Sequence, residues 1–83
     1  MHVELTPQAA AELERLPGAI HARVLNVLVR LRNWPDVSGA KPLRKNLAGR
    51  YRIRTGDYRV QFYARASIVI VERIGHRDGF YED

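Results

Sequence analysis

The sequence predicts an α+β domain in which an N-terminal strand and a helical hairpin pack on one face of a mainly antiparallel four-stranded sheet. Two observations support this fold class. Apolar residues recur at helical spacing early in the chain, and apolar and polar residues alternate after residue 50. The predicted elements are joined by short turns, so neighbours in sequence should also be neighbours in space. Residues 1–83 are therefore expected to form a single domain.

The N-terminal half carries one short strand and two helices. His2–Leu5 is predicted as the strand. Thr6 and Pro7 begin the first helix, because threonine is a good N-cap and proline is tolerated at the first helical position. The helices are predicted over residues 7–16 and 19–34, and the short turn between them implies an antiparallel hairpin. The apolar face of the second helix consists of Ile20, Val24, Val27, Leu28 and Leu31.

The C-terminal half is predicted to form three consecutive strands, after a loop over residues 35–42. The strands cover Arg50–Thr55, Tyr58–Ala64 and Ser67–Ile74. Gly56-Asp57 is typical of a two-residue hairpin turn, which fixes how the first two strands pair. The core is predicted to include Leu13, Leu16, Val24, Leu28, Leu31, Ile53, Val60, Phe62 and Val69.

One face of this hairpin is rich in arginine. The turn places Arg54 directly opposite Arg59, with Cβ atoms about 5 Å apart, and Arg52 opposite Gln61 on the same face. Like charges at opposed positions destabilise a sheet, so the fold gains nothing from this arrangement. A bound anion would convert the repulsion into attraction, and the planar guanidinium matches phosphate oxygens. The alternative is a merely solvated face, with Glu72 opposite Arg59 and neutralising it.

The composition points towards nucleic acid. Fourteen Lys and Arg residues against nine Asp and Glu give a formal net charge of +5 and a pI near 10.2, a balance typical of proteins that bind polyanions. Small basic proteins that bind nothing specific share this property. The N-terminal sequence does not resemble a signal peptide, and the longest strongly apolar stretch, residues 68–71, is too short to span a bilayer. A cytoplasmic protein without membrane contact is expected.

No metal or other cofactor is expected. The chain has no cysteine, which excludes disulfides and thiolate metal sites. The three histidines, at positions 2, 21 and 76, lack the spacing of metal ligands.

The segment after the last predicted strand contains three side chains suited to RNA chemistry. His76 belongs to the residue type that exchanges protons near neutral pH. Arg77 can stabilise a developing negative charge, and Tyr81 can stack on a base or donate a hydrogen bond. The structural alternative is a solvated histidine and an aromatic residue that closes the core.

Three motifs in this order resemble the RelE/ParE toxin superfamily over essentially the whole chain. They are L-x-G-x-Y-R-I-R ending at Arg54, G-D-Y-R-V over Gly56–Val60, and I-G-H-R over Ile74–Arg77, followed by Tyr81. The resemblance implies a RelE-like fold and a toxin that cleaves messenger RNA in the ribosomal A site. In such toxins the RNA 2′-hydroxyl attacks the adjacent phosphate and the 5′-hydroxyl leaves.

The resemblance also assigns roles to individual residues. Two basic residues that handle the nucleophile and the phosphate align with Arg52 and Arg54, and a strand arginine that steadies the phosphate aligns with Arg59. An arginine often assigned as the general acid aligns with Arg77, and a tyrosine that orients the nucleotide corresponds to Tyr81.

One departure from the family pattern concerns proton transfer. RelE carries lysines where this chain has Arg52 and Arg54, and arginine does not give up its proton in proteins. The two arginines are therefore predicted to stabilise charge, and His76 becomes the candidate for proton transfer. The alternative is electrostatic catalysis, with protons handled by water or the ribosome.

The resemblance further implies partners and competing functions. The expected partners are a cognate antitoxin and messenger RNA in the ribosomal A site, with operator DNA bound only through the toxin–antitoxin complex. The main alternative is a ParE-like toxin that inhibits DNA gyrase without catalysis. A third possibility is an inactive relative whose basic face only docks an antitoxin or nucleic acid.

Overall fold

The computed structural model describes residues 1–79 and confirms the predicted α+β architecture. Two helices pack on a mixed five-stranded sheet with strand order β1-β5-β4-β3-β2. β1 and β5 are parallel, and the other neighbouring strands are antiparallel. The elements are β1 (His2–Leu5), α1 (Pro7–Glu14), α2 (Gly18–Arg30), β2 (Lys41–Pro42), β3 (Tyr51–Thr55), β4 (Tyr58–Arg65) and β5 (Ile68–His76), with single 3-10 turns at Leu31–Asn33, Lys45–Leu47 and Arg77–Gly79.

The fifth strand, β2, was not predicted. It is an edge strand of two residues, in which Lys41 pairs with Arg52 and Pro42 with Tyr51. Two residues are too few to show an alternation of apolar and polar side chains, so the sequence gives no sign of this strand. It forms because the chain pairs with β3 at this point. Proline is compatible with an edge strand, since its missing N–H need not face a neighbour. The loop predicted for residues 35–42 is thus wrong at its last two positions.

The hydrophobic core lies between the helices and one face of the sheet. Of the predicted core residues, Val24, Leu31, Ile53, Val60, Phe62 and Val69 are buried. Leu13, Leu16 and Leu28 are half-buried and pack against its margin. Trp34, which follows the 3-10 turn after α2, makes aromatic contacts with Tyr51 and Phe62, at ring-centroid distances of 4.7 Å and 5.0 Å. Edge-on packing of this kind stabilises a core beyond simple burial.

A β-bulge in β5 changes the register that the sequence predicted. The turn between β4 and β5 lies at Ala66 and Ser67, and the pairing shifts between Gln61 and Phe62. Gly75, and not Glu72, therefore lies opposite Arg59. The predicted pairing of Glu72 with Arg59 is wrong because both the position of the turn and the bulge move β5 along β4.

Neither of the two α-helices in residues 1–79 combines the length and the apolar composition that crossing a bilayer requires.

Thr6 links the start of α1 to β5. As predicted, it is the N-cap: its Oγ1 accepts a hydrogen bond from the backbone N–H of Ala9 at 3.1 Å. The same hydroxyl donates to the carbonyl oxygen of Glu72 at 3.0 Å. One side chain thus satisfies an unpaired helix N–H and joins the helix to the bulged region of β5.

We expect Thr6→Ala to lower the free energy of unfolding by about 1–2 kcal/mol, because loss of an N-cap hydroxyl has a cost of this size. Thr6→Ser keeps the hydroxyl and should stay close to the wild type. Urea denaturation of the three proteins measures the difference. Equal stability of the alanine and serine variants would contradict the role of the hydroxyl.

Candidate functional site: the cationic face of the sheet

The predicted arginine pairing is present in the structure. Arg54 lies directly opposite Arg59, and Arg52 lies opposite Gln61. The side chains of opposed residues share a face of the sheet, and alternate residues along a strand return to it. Arg52, Arg54 and Arg59 therefore project together from the face opposite Ile53 and Val60.

The middle of this face is buried. Arg59 is only 5% exposed and Gln61 only 6%, whereas Arg54 is exposed. The residues opposite Arg59 are Arg54 on β3 and Gly75 on β5. A buried guanidinium has few rotamers, so Arg59 is held in place before any ligand arrives.

Lys41 joins the arginines, and sequence reasoning missed it. Its position opposite Arg52 places it on the same face. We call Lys41, Arg52, Arg54 and Arg59 the cationic face. No pattern in the sequence identified Lys41, because its strand forms only by pairing with β3.

Glu72 neutralises a different arginine from the one predicted. Its Oε1 lies 2.7 Å from Nε of Arg50 and accepts a hydrogen bond from the amide of Gln61 at 3.2 Å. The guanidinium of Arg50 also lies over the ring of Tyr63, 5.5 Å from its centroid. Glu72 is thus engaged beside the cationic face, next to Gln61.

A cleft of about 420 Å³ lies beside this network, between the start of α1 and the 3-10 turn Lys45–Leu47. Its volume falls within the range of small-ligand sites. Gln61 and Arg50 contribute to its lining, together with Glu72 and the polar side chains of Gln8 and Asn46.

His76 lies at the end of β5, away from the arginine pair. It pairs with Tyr58, and the two rings meet edge-on at 5.3 Å. Opposed residues share a face, so His76 is on the side of the sheet that carries Val60, while Arg59 projects from the other side. The structure thus brings together Arg52, Arg54 and Arg59 but sets His76 apart from them.

Asp78 orients the imidazole of His76. The backbone N–H of Asp78 donates to Nδ1 at 3.2 Å, so the neutral ring carries its proton on Nε2. Oδ2 of Asp78 lies 3.4 Å from Nδ1 and can accept a hydrogen bond when the ring is protonated. Both protonation states of His76 therefore have a partner for Nδ1. Sequence reasoning did not single out Asp78.

Arg77 lies beside the β3–β4 turn. Its backbone N–H donates to the carbonyl oxygen of Asp57 at 2.7 Å, and its Nε lies 3.7 Å from Oδ1 of Asp78 and 4.0 Å from Oδ1 of Asp57. The side chain is 60% exposed and thus accessible. Tyr81, the remaining predicted site residue, lies outside the described residues.

Among residues 1–79, no group of three or more His, Cys, Asp or Glu side chains is arranged to hold a metal ion.

Comparison with known proteins finds one family model that covers nearly the whole chain. Residues 3–79 match the family described as ParE toxin of type II toxin–antitoxin system, parDE. Toxin RelE of Mycobacterium tuberculosis is 45% identical over 62 residues, which make up 74% of this chain and 63% of that protein. Less than two thirds of that relative is thus matched. Toxin RelG of the same organism is 31% identical over 81 residues, covering 95% of this chain and 93% of the relative.

A solved structure has the same fold. The toxin–antitoxin complex RelBE2 from Mycobacterium tuberculosis contains a chain with a TM-score of 0.79 and 31% sequence identity. The alignment covers 92% of this chain and 90% of that one.

We expect a nucleoside 3′,5′-bisphosphate to bind the cationic face and raise the Tm of the protein. Arg54→Ala should weaken this binding at least about tenfold, because a hydrogen bond to a charged group is worth about 1.5–3 kcal/mol. Thermal shifts at increasing ligand concentration and constant ionic strength measure the change.

Arg65→Ala is the matched control. Arg65 is exposed, lies on the same face of β4 and is about 20 Å from Arg59, since a strand rises about 3.3 Å per residue. Its loss should leave binding nearly unchanged. Equal weakening by the two substitutions would show that only net charge matters.

Proposed function

Because the chain belongs to the RelE/ParE superfamily of type II toxins, we propose that it is a toxin that cleaves messenger RNA on the ribosome. One observation carries the proposal: Arg54 and Arg59 lie opposite each other, with Arg52 on the same face. These are the positions at which the family resemblance places the groups that handle the nucleophile and the phosphate. Gyrase inhibition alone would not require such a site.

The proposed reaction is an internal transesterification. The 2′-oxygen of a ribose attacks the adjacent phosphorus, and a new P–O2′ bond forms. The P–O5′ bond breaks, so that the 5′-oxygen leaves with a proton and the other fragment ends in a 2′,3′-cyclic phosphate. The 2′-hydroxyl loses one proton and the leaving oxygen gains one. No metal or redox partner is needed for this balance.

The arginines would act on the charge that develops at phosphorus. Arg59 is buried and ordered in advance, so little of its binding energy is lost on immobilisation. Arg54 is exposed and can close on the phosphate from the opposite strand. Arg52 extends the positive potential along β3. Arginine keeps its proton, so all three roles are electrostatic.

His76 and Arg77 are proposed to serve the leaving oxygen at the end of β5. As an imidazolium, His76 would donate the proton on Nε2 to the leaving oxygen, while Oδ2 of Asp78, 3.4 Å from Nδ1, would accept a hydrogen bond from the other ring nitrogen. Arg77 would stabilise charge on the departing oxygen. Because His76 and Arg59 project from opposite sides of the sheet, the RNA would have to pass around the end of β4 and β5 to contact both. Tyr81 is proposed to stack on a base.

The proposed protein partner is an antitoxin. The similar chain of RelBE2 belongs to a toxin–antitoxin complex, and this relationship supports a complex of the same kind here. The net charge of +5 favours an acidic partner segment. We place the toxin in the cytoplasm with its ribosomal target, and we expect operator DNA to be bound only through the antitoxin.

The second candidate function is inhibition of DNA gyrase without RNA cleavage. The family model that matches is named for ParE, which favours this alternative. The curated relatives named RelE and RelG favour the first. Mapping new 5′ ends of messenger RNA on translating ribosomes separates the two, because a gyrase inhibitor creates none.

We expect the wild-type protein to produce such ends and Arg59→Leu to reduce the cleavage rate at least about tenfold, the effect of losing one charge-assisted contact. Growth inhibition should be lost in parallel. Leucine fills much of the buried space, so the fold should persist, which circular dichroism checks. A folded Arg59→Leu protein that remains fully toxic would contradict the proposed site.

We expect His76→Ala to slow single-turnover cleavage of ribosome-bound messenger RNA by about 10²–10⁴-fold, the usual range for general acid–base catalysis. The cleavage rates of the two proteins are compared over a range of pH. Asp78→Asn serves as the companion variant: it keeps the backbone donor to Nδ1 but removes the carboxylate. If His76→Ala cleaves messenger RNA at the wild-type rate and with the wild-type pH profile, His76 transfers no proton, and the arginines alone account for catalysis.

A further inference from the structure

The cleft between the start of α1 and the 3-10 turn Lys45–Leu47 has no role in the function proposed above. Its volume of about 420 Å³ is that of a small-ligand site. Gln61, which lines the cleft, lies opposite Arg52, so the cleft is on the same side of the sheet as the cationic face. The cleft therefore borders the surface on which RNA is proposed to bind.

Three polar side chains in the wall of the cleft hold one another in place. Oε1 of Glu72 lies 2.7 Å from Nε of Arg50 and accepts a hydrogen bond from the amide of Gln61 at 3.2 Å. Gln61 is only 6% exposed, and Glu72 and Arg50 are half-buried. A carboxylate can only accept, so the NH2 group of Gln61 is the end that faces Glu72. These side chains are oriented before a ligand arrives, which lowers the entropic cost of binding one.

The network uses only half of the carboxylate. Each carboxylate oxygen can accept about two hydrogen bonds, and Arg50 and Gln61 together occupy Oε1. Within residues 1–79, Oε2 of Glu72 accepts no hydrogen bond, and the two terminal nitrogens of Arg50 donate none. An arginine and a carboxylate that only neutralise each other frequently form two parallel hydrogen bonds, whereas this pair forms one. The cleft thus presents an acceptor oxygen and guanidinium donors to a ligand.

Guanine is the nucleobase that matches these groups. Its N1–H and N2 amino group are adjacent donors, which the two lone pairs of one carboxylate oxygen can accept. Its O6 and N7 are acceptors, to which arginine commonly donates. Adenine and cytosine place an acceptor nitrogen beside their amino group, which would repel the carboxylate, and uracil offers one donor between two acceptors. Pro7 and Leu47 also line the cleft and add apolar surface for contact with a base.

We propose that the cleft binds a guanine base of the RNA, with Glu72 accepting from N1–H and the N2 amino group and Arg50 donating to O6. The inference rests on the proposed function in its choice of RNA as the molecule that carries the base. It gives Glu72 and Arg50 a role as specificity-determining residues, in addition to the contacts that the cationic face makes with phosphate.

The test compares fluorescent 2′-O-methyl oligouridylates in which the central base is replaced by guanine, adenine or cytosine, or is left as uracil. The 2′-O-methyl group prevents cleavage by 2′-hydroxyl attack. All the probes carry the same charge, so their contacts through phosphate cancel in the comparison. Anisotropy titrations of the wild type should give a Kd for the guanine probe at least about fivefold below the others, because one well-matched set of base contacts discriminates by this factor or more.

An inosine probe and Glu72→Gln define the contact. Inosine lacks the N2 amino group, so the wild type should bind it at least about fivefold more weakly than guanine. Glu72→Gln should lose this difference, because the amide oxygen stays with Arg50 and the NH2 group then faces the donors of the base. Glu14→Gln is the matched control: it makes the same change of charge at the exposed end of α1, outside the lining of the cleft. It should keep the preference of the wild type.

The outcomes separate this inference from the proposed function. Equal binding of the guanine and inosine probes by the wild type, no binding of any probe, or equal loss of the preference in Glu72→Gln and Glu14→Gln would overturn the guanine site. The inosine comparison needs no variant, so it decides the question even if Glu72→Gln does not fold. If the wild type still produces new 5′ ends of messenger RNA in that case, the proposed function stands. A guanine preference that depends on Glu72, in a protein that produces no such ends, would overturn the proposed function and keep the guanine site.

Discussion

The pairing of β3 with β4 is the constraint on which the rest of the structure depends. Gly56 adopts a positive φ of 62°, which glycine tolerates without strain, and together with Asp57 it closes the two-residue turn. This turn sets which residues face the helices. A shift of one residue would turn Ile53 and Val60 to the other face and bury Arg54 and Arg59 under the helices. The core and the cationic face are therefore two consequences of one register.

The same register brings together arginine side chains that destabilise the sheet and that can also bind an anion. Opposed cations repel each other, and Arg59 bears its charge in a buried position. The core on the other side of the sheet, with Phe62 and Trp34 in edge-on contact, stabilises the strands against this repulsion. A ligand with negative charge reverses the sign of the interaction.

The end of the sheet supplies a different kind of chemistry from its face. The backbone N–H of Asp78 donates a hydrogen bond to Nδ1 of His76, while the face of the sheet carries arginines, which keep their charge at any physiological pH. Arg77 joins this end to the β3–β4 turn through the carbonyl of Asp57. The arginines and His76 thus project from opposite sides of the sheet, and a ligand that contacts both must pass around its end.

Local patterns in the sequence determined most of the fold and the central part of the site. The helical spacing of apolar residues, the Thr6 N-cap and the Gly56-Asp57 turn each act over a few residues, so they can be read without the tertiary structure. Because the Gly56-Asp57 turn fixes the pairing of the two strands, counting residues outward from it places Arg54 opposite Arg59. The family resemblance was likewise recognised from motifs, and the comparisons confirm it.

Only the tertiary structure decided the features that depend on contacts between distant segments. The bulge that moves Glu72 away from Arg59 arises where β5 adjusts to β4, and no short motif encodes it. Arg59 is buried although arginine is a residue type that is mostly exposed, and nothing in the local sequence indicates this. Lys41 reaches the cationic face because a two-residue segment happens to pair with β3. A periodic pattern of apolar residues can be recognised in a sequence only when it extends over several residues. A single cross-strand contact, in contrast, is enough to place a side chain in a site.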